Sequence, residues 1–370
     1  MSSPETDPGP DRDDAGTQPT LRGLPPGWTA RPVEETDIPR LTEMTAAQEA
    51  LVRGSASPHP ARIRAQVVGT ASWTRRQRAL VRDSRIGAWV AVHDRAAGRT
   101  VVEVVIDPPV RESPDANPLA AAMLGWAADE AVAIARLRGI AGTRLDAGPE
   151  AVDERLRDWL AQAGYEHARS WEHMVRPVSH QESAPGVLPD PRPGVRVRRV
   201  RQHPSGMPRA EDLQTVHRML EESFADHWGS YRESFPEFLQ RLREDTGHAW
   251  DMWWIAEIET GHGWVPGGAV VTSVLAPDAA GARGSYIDYI GVHRRSRGRG
   301  VAKALLHSVI REAAQRGYDR VGLEVDADSP TGADGLYRSM GWSVEHVTES
   351  WQREVEAPDA EQPAPRPTSG

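Results

Sequence analysis

The 370-residue chain contains no cysteine. That excludes a disulfide framework, a cysteine nucleophile and any thiolate metal site. Lysine is almost as scarce: Lys303 stands alone, so nearly all positive charge is arginine. Long hydrophobic runs are missing too, since no stretch approaches the roughly 18 to 20 continuous apolar residues of a membrane span. The N-terminal MSSPETDPGPDRDDAG is acidic and polar where a secretion signal would be basic and then apolar. A cytoplasmic location is expected. A positive surplus is also lacking: the formal net charge of -9 argues against nucleic acid or an anionic membrane as partner, both of which select for cationic surfaces.

The remaining composition is that of a globular protein. With 39% hydrophobic and 26% charged residues, a chain of this length can bury two cores. Residues 1–25 and 356–370 are rich in Pro, acidic and small polar residues and are expected to be unstructured. The stretch RPVSHQESAPGVLPDPRPG (Arg176 to Gly194) has the same character and reads as a linker, centred on 179–193. It separates two units, 26–178 and 194–355, that resemble each other. In the second, the strand-like GSYIDYIGV (Gly284 to Val292) precedes a glycine turn. A helix from about Gly300 to Arg316 follows, with apolar Val301, Leu305, Val309 and Ala313, then RVGLEVDAD and a helix ending LYRSMGW. In the first, VVEVVIDPPV, a helix over about Pro118 to Arg138, IAGTRLDAG and RLRDWLAQAGYEHARSW keep the same order. A tandem duplication is expected.

Aligning Val110 with Val292 places Asp115 opposite Arg297, Ala116 opposite Gly298, Asn117 opposite Arg299 and Pro118 opposite Gly300. The turn has been lost from the first copy. In the second, RRSRGRGVAKALL (Arg294 to Leu306) offers backbone N–H groups at a helix start, glycines that admit a bulky phosphate, and arginines to bind it. It is neither a nucleoside triphosphate loop, lacking Gly-Lys-Ser/Thr, nor a dinucleotide fingerprint. In isolation such a turn also suits a basic loop that caps a helix.

Arg297, Gly300 and Ala302 form an Arg-x-x-Gly-x-Ala signature, and Leu336 to Trp342 follow as Leu-Tyr-x-x-x-Gly-aromatic. On these residues, Gly284 to His346 resembles the acetyl-CoA-binding core of the GNAT superfamily of N-acetyltransferases. GVRVRRV, DLQTVHRMLEESFADHWG, FPEFLQRLRE, MWWIAEI and GGAVVTSVLA fit its earlier elements. The tandem arrangement resembles the group of mycothiol synthase and related actinobacterial acetyltransferases. The resemblance implies an α/β (α+β) fold of tandem GNAT-like domains, each a mixed, mostly antiparallel sheet flanked by helices.

It also implies roles. Acetyl-CoA would be the acyl donor, held by Ile290, Gly291 and Val292 along its pantetheine arm and by Arg297, Gly298, Arg299, Gly300, Val301 and Ala302 at its phosphates. Transfer would be direct, without an acyl-enzyme. Tyr337 would be the general acid, a phenol able to protonate a leaving thiolate; the other reading is a core tyrosine. Asp288, expected on the same strand face as Tyr286 and Ile290, would be the base; the other reading is a carboxylate paired with arginine. It stands where Glu is usual, and the mycothiol synthase group carries its Glu at the position of Tyr286. Leu160 falls opposite Tyr337, so the first copy lacks that hydroxyl.

His227, Trp228, Tyr231 and Tyr286 are the candidate acceptor contacts. No metal is expected: Pro330 and the misplaced Gly332 break a calcium-loop pattern among Asp326, Asp328 and Asp334, and Asp328 or Ser329 is expected to cap the following helix. The expected function is acetyl-CoA-dependent N-acetylation of a small-molecule primary amine, of the mycothiol-precursor or aminoglycoside-like kind. A protein amine, or a non-catalytic acyl-CoA-binding module, remains as an alternative. The oligomeric state stays open.

Overall fold

The protein is described from a computed structural model, over residues 20–56, 58–95, 98–224, 233–278, 281–328 and 332–357. The first unit contains β1 (Thr29–Arg31), α1 (Ile38–Arg53), α2 (Pro60–Val67), β2 (Arg75–Arg82), β3 (Arg85–Arg95) and β4 (Arg99–Ile106). These are followed by α3 (Pro108–Arg111), α4 (Ala116–Leu137), β5 (Gly142–Ala147), α5 (Glu154–Gln162) and β6 (Glu166–Pro177). The second contains β7 (Val195–Arg199), α6 (Ala210–Phe224), α7 (Phe235–Glu244), β8 (Trp254–Thr260), β9 (Gly263–Leu275) and β10 (Gly284–Val292). After these come α8 (Val301–Gln315), β11 (Arg320–Asp326), α9 (Ala333–Ser339) and β12 (Ser343–Glu356).

All twelve strands join one sheet in the order β1-β2-β3-β4-β5-β12-β6-β11-β10-β9-β8-β7. Only β4 with β5 and β10 with β11 are parallel, so the sheet is mixed and mostly antiparallel as expected. The order reads alike from either edge, except that each unit's last strand has crossed over. β6 lies between β11 and β12, and β12 lies beside β5. The two sequence units are therefore not separate in space.

Helices cover both faces of each half. α1 and α2 pack Leu41, Met44 and Ile63 on Trp89 and Ala91, while α4 buries Leu119, Met123 and Trp126 against Val90, Val92 and Leu145. Burial on both faces explains why Ile86–Val92 reads as an almost unbroken apolar run. In the second half, α6 and α7 cover Trp253, Ile255 and Val271, and α8 covers Val270, Val321 and Leu323. Val301, Leu305, Val309 and Ala313 are all buried, as their spacing predicts. α4 is long and apolar enough to cross a membrane by length and composition, but 67% of its most apolar window is buried inside the fold. It serves as a core helix.

Three expectations change. Residues 179–193 are ordered: Ser179 and Glu182 form a capping box, Glu182 pairs with Arg176, and the Val178 N–H donates to Asp319 O at 2.7 Å. Leu188 is buried against α8, so the prolines stiffen a strap. Leu21 and Leu24 pack in the first core and Ala357 is buried, which extends the fold beyond residues 26 and 355; residues 1–19 and 358–370 lie outside the described residues. VVEVVIDPPV ends as a strand at Ile106, because Pro108 and Pro109 cannot donate to a ladder and start α3 instead.

Contacts between the halves include the β6–β12 seam and the end of α7. Along the β6–β12 seam, Trp171 Nε1 donates to Ser350 Oγ at 2.7 Å, and His173 stacks on His346 with centroids 4.2 Å apart. At the end of α7, Glu244 receives Thr74 Oγ1 at 2.8 Å and Arg75 Nη1 at 3.1 Å, with His93 Nε2 at 3.2 Å. Burial opposes its ionisation, yet these hydrogen bonds hold its carboxyl down to about 2. Cutting the chain in the strap at residue 186 should give two pieces that do not fold alone, each missing the strand that completes its sheet. Mixed together they should restore one cooperative melting transition, read by circular dichroism; an independent transition in either piece would contradict strand exchange.

Candidate functional site

β10 pairs with β9 along its whole length, but with β11 only over Gly284–Ile287 against Arg320–Leu323. Past Ile287 the parallel strands part. The cause lies in the β9 register, where Ile287 faces Thr272 and Tyr289 faces Val271, leaving Asp288 as the extra residue of a bulge. The bulge shifts the alternation. Ile287, Ile290 and Val292 pack with the α8 core and Tyr289 with the α6–α7 core. Asp288 is bonded to Ser273, which sits opposite Tyr286, so Asp288 shares a face with Tyr286 but not, as expected, with Ile290.

A cavity of about 1400 Å³ fills the opening. It is lined by Ile290, Gly291 and Val292, by Arg297, Gly298, Gly300, Val301 and Ala302, and by Tyr337 and Asp288. Just before α8, Gly298 and Gly300 adopt φ of 76° and 87°, a left-handed backbone that glycine takes without strain. Behind them the first N–H groups of α8 have no intrahelical acceptor, which makes the turn an anion cradle. Arg299 is not part of it: its Nη2 donates to Glu259 O at 3.1 Å, on the β8–β9 side. Arg192, from the strap, takes a place that sequence reasoning missed. Its side chain lies across Gly300, where a Cβ would come within 2.9 Å of its Cδ, and it lines the cavity. A proline-rich stretch read as a linker carried no sign of this.

Asp288 accepts a hydrogen bond from Ser273 Oγ at 3.1 Å. Burial, with the negative charge of Asp245, pushes its carboxyl up to about 7. Tyr337 is buried at the end of α9, edge-on to Trp342 at 5.9 Å between centroids. Burial pushes its phenol up to about 12. The N-cap of α9 is Gly332 at φ 63°, not Asp328, whose N–H instead donates to Asp326 Oδ1 at 2.9 Å; Ser329 lies outside the described residues. No group of metal-ligating side chains occurs among the described residues. Tyr286 packs on Gly322 and does not line the cavity, and burial raises its phenol above the usual range. His227, Trp228 and Tyr231 lie outside the described residues.

The cavity does not stop at the second unit. Arg95, Arg99, Arg144 and Gly148 of the first line it too, with Thr348, Glu349, Ser350 and Gln352 of the crossed-over β12. Arg241 adds a wall by clamping Glu233 at 2.8 and 2.7 Å and donating to Tyr289 Oη at 2.6 Å. These residues meet only through tertiary packing. The first unit's own opening is blocked. The Gln48 side chain accepts from Ile106 N–H at 3.1 Å and donates to Val104 O at 3.5 Å, while Asp115 accepts from Trp28 Nε1 at 3.0 Å and pairs with Arg82. Leu160 is buried, and only about 370 Å³ of space remains beside it.

Comparison with known proteins agrees with this geometry. Residues 214–342 match the acetyltransferase (GNAT) family. In fold, the chain is similar to a GCN5-related N-acetyltransferase from Sphaerobacter thermophilus, with 23% identity over 92% of this chain and 99% of that one, at a TM-score of 0.69. It is also similar to a tandem GNAT protein of the clavulanic acid biosynthesis pathway, at 12% identity, 90% and 100% coverage and a TM-score of 0.62. A third likeness is N-myristoyltransferase of Saccharomyces cerevisiae with bound myristoyl-CoA, at 9% identity, 91% and 81% coverage and a TM-score of 0.54. No curated protein matches the chain.

Packing at the opening is tight enough to test. A Cβ at Gly291 would lie 2.9 Å from Ser223 Oγ and 3.1 Å from Leu220 Cδ2, so α6 rests directly on the β10 backbone. Gly291→Ala should therefore destabilise the fold by about 1–3 kcal/mol in urea unfolding; an unchanged midpoint would mean that α6 is free to move.

Proposed function

We propose that this protein, an acyltransferase whose second unit carries a GNAT-family domain, moves the acetyl group of acetyl-CoA directly onto the primary amine of a small molecule. The observation that carries the reading is the joining of three parts in one cavity: the anion cradle at Arg297–Ala302, the β10 backbone at Ile290–Val292 with its β11 side unpaired, and Asp288 with Tyr337. The cradle fits the donor's phosphates. Gly298 leaves open space at the backbone, and Arg297 with the strap's Arg192, which lies across Gly300, supplies charge. The β10 backbone past Ile287 is open to an amide-bearing chain laid beside it, as a strand partner would be.

Amide formation from a thioester requires a neutral amine and a protonated leaving sulfur. Asp288, poised near 7, takes a proton from the ammonium form of the acceptor; a base with that proton affinity is half-ionised at neutral pH and still strong enough to compete. The nitrogen lone pair then attacks the acyl carbon and the carbon–sulfur bond breaks. Tyr337 gives its proton to sulfur and is restored by the second proton leaving nitrogen. The burial that keeps its phenol neutral also raises the proton affinity of a sulfur anion formed in the same cleft. With no cysteine in the chain, no cysteinyl acyl-enzyme forms. A small acceptor is favoured over a protein because side chains of α6, α7 and the first unit share the cavity with Asp288 and leave a pocket-sized space rather than a flat surface.

Titration calorimetry with acetyl-CoA, together with thiol release over a panel of amines, tests the reading. One donor site per chain is expected, and thiol release on a defined amine. Tyr337→Phe should leave donor affinity within a few-fold and lower kcat about 10²-fold; unchanged turnover removes Tyr337 from the chemistry.

Asp288 supplies a second test of opposite sign in activity and stability. Wild-type kcat/KM should rise with pH through a limb near 7, and Asp288→Asn should abolish that limb. Because folding raises this carboxyl from its ordinary value of 3.8, the proton is held more tightly in the folded state. Its contribution to stability is complete at low pH and is lost between about pH 4 and 7. Asp288→Asn should thus melt several degrees higher than the parent at pH 8, with little difference at pH 4, by scanning calorimetry.

A further inference from the structure

The cavity has a basic corner that transfer chemistry leaves unused. Arg95, at the end of β3, sits opposite Arg99 at the start of β4, and Arg99 sits opposite Arg144 on β5. Residues directly opposite on neighbouring strands project from the same face. Register alone therefore aligns three guanidinium groups in a row, and all three line the cavity. All belong to the first unit.

Among the described residues, Asp146 receives Arg99 Nε at 2.7 Å and lies 3.5 Å from Arg144 Nε, and Arg95 pairs with no carboxylate. Arg95 Nε and Arg144 Nε are buried with no hydrogen-bond partner among the described residues. Buried donors of this kind are ordinarily satisfied, and a guanidinium fork is matched best by the paired oxygens of a carboxylate, phosphate or sulfate. The donor's phosphates have a different place, on the α8 wall at Arg297 and Arg192. Arg241, the other cation near the acceptor wall, is engaged by Glu233 and Tyr289.

Resting on the transferase reading, we propose that the acceptor is an amine that also carries an anionic group, and that Arg95, Arg99 and Arg144 bind that group while the amine lies at Asp288. The acceptor thereby spans the two units. The first supplies its anion site and the second its reaction centre, and neither half alone recognises the whole molecule. A site built to bond a charged group rejects the analogue that lacks it, since its own polar atoms are then left unanswered. The row is thus a specificity determinant.

The test is thiol release at saturating acetyl-CoA with matched amines. Amino acids are set against their amides, aminoalkyl phosphates against amino alcohols, and aminoalkyl sulfates against the same alcohols. The full-length protein should favour the anionic member of at least one pair by about tenfold or more in kcat/KM. Arg95→Gln and Arg144→Gln, made singly so that Arg99 still answers Asp146, should each raise KM for that acceptor several-fold and shrink the preference, with acetyl-CoA affinity unchanged by calorimetry. A preference for neutral amines, or an anionic preference that survives both substitutions, overturns the proposal. Weakened acetyl-CoA binding in either variant assigns the row to the donor and overturns it as well. Acetyl-CoA binding without thiol release on any amine would instead overturn the transferase reading on which the proposal rests.

Discussion

Antiparallel pairing of β6 with β12 is the contact on which the rest of the structure depends. Each unit ends in a strand that its own sheet does not keep. β6 closes the second half by pairing with β11, and β12 closes the first by pairing with β5. Without the exchange, two parallel-strand openings would each face water along an unprotected edge. With it, the chain becomes one continuous sheet whose middle carries residues from both units. The strap follows from the same topology, since the chain must run from the far end of β6 back to β7 at the opposite edge of the second half. It crosses the start of α8 on the way and brings Arg192 to Gly300.

A bulge and a buried charge coincide where the sheet opens. One extra residue in β10 turns the strand, ends its pairing with β11 and buries a carboxylate that would be more stable in water. The fold tolerates this at one site because Ser273 supplies one hydrogen bond and the flanking strand pairs remain intact. The same burial that costs stability sets a proton affinity useful at neutral pH. Tyr337, which lines the same cavity, packs edge-on to Trp342, and α9 is in turn anchored to β6, where Arg176 Nε donates to Met340 O at 2.8 Å. The first unit thus braces the helix that carries the second unit's hydroxyl.

The first unit shows how the same architecture loses its ligand site. β4 and β5 also part, yet Gln48 fills the gap with side-chain hydrogen bonds to the β4 backbone. Asp115, the N-cap residue of α4 as Gly300 is of α8, stands where the second unit has its glycine and is bonded internally by Arg82 and Trp28. A leucine replaces the tyrosine. What the unit retains is a set of polar side chains at its β3–β4 and β5 ends, turned toward the neighbour's cavity.

Local physical rules made much of this legible in the amino-acid sequence. Helix and strand patterns located α8 and β10 nearly to the residue, because each buries one well-defined set of side chains, and the family resemblance placed α7. Glycine spacing marked the cradle, since only a left-handed backbone before a helix start demands glycine at both positions. Asp288 and Tyr337 were recognisable as chemical candidates only through the family resemblance that the turn and the later Leu-Tyr-x-x-x-Gly-aromatic motif carry. Three features escaped, each decided by contacts between distant segments. The bulge at Asp288 depends on register with β9, so the face of Ile290 could not be read from alternation alone. Order in the strap comes from docking Leu188 and Val178 on the second core, which overrides a composition typical of linkers. The row of Arg95, Arg99 and Arg144 exists only because three strands pair in one register beside an exchanged fourth. The sequence determined the elements and the glycine turn, whereas tertiary structure decided which arginines meet, which strand faces the cavity, and that both units line one cavity.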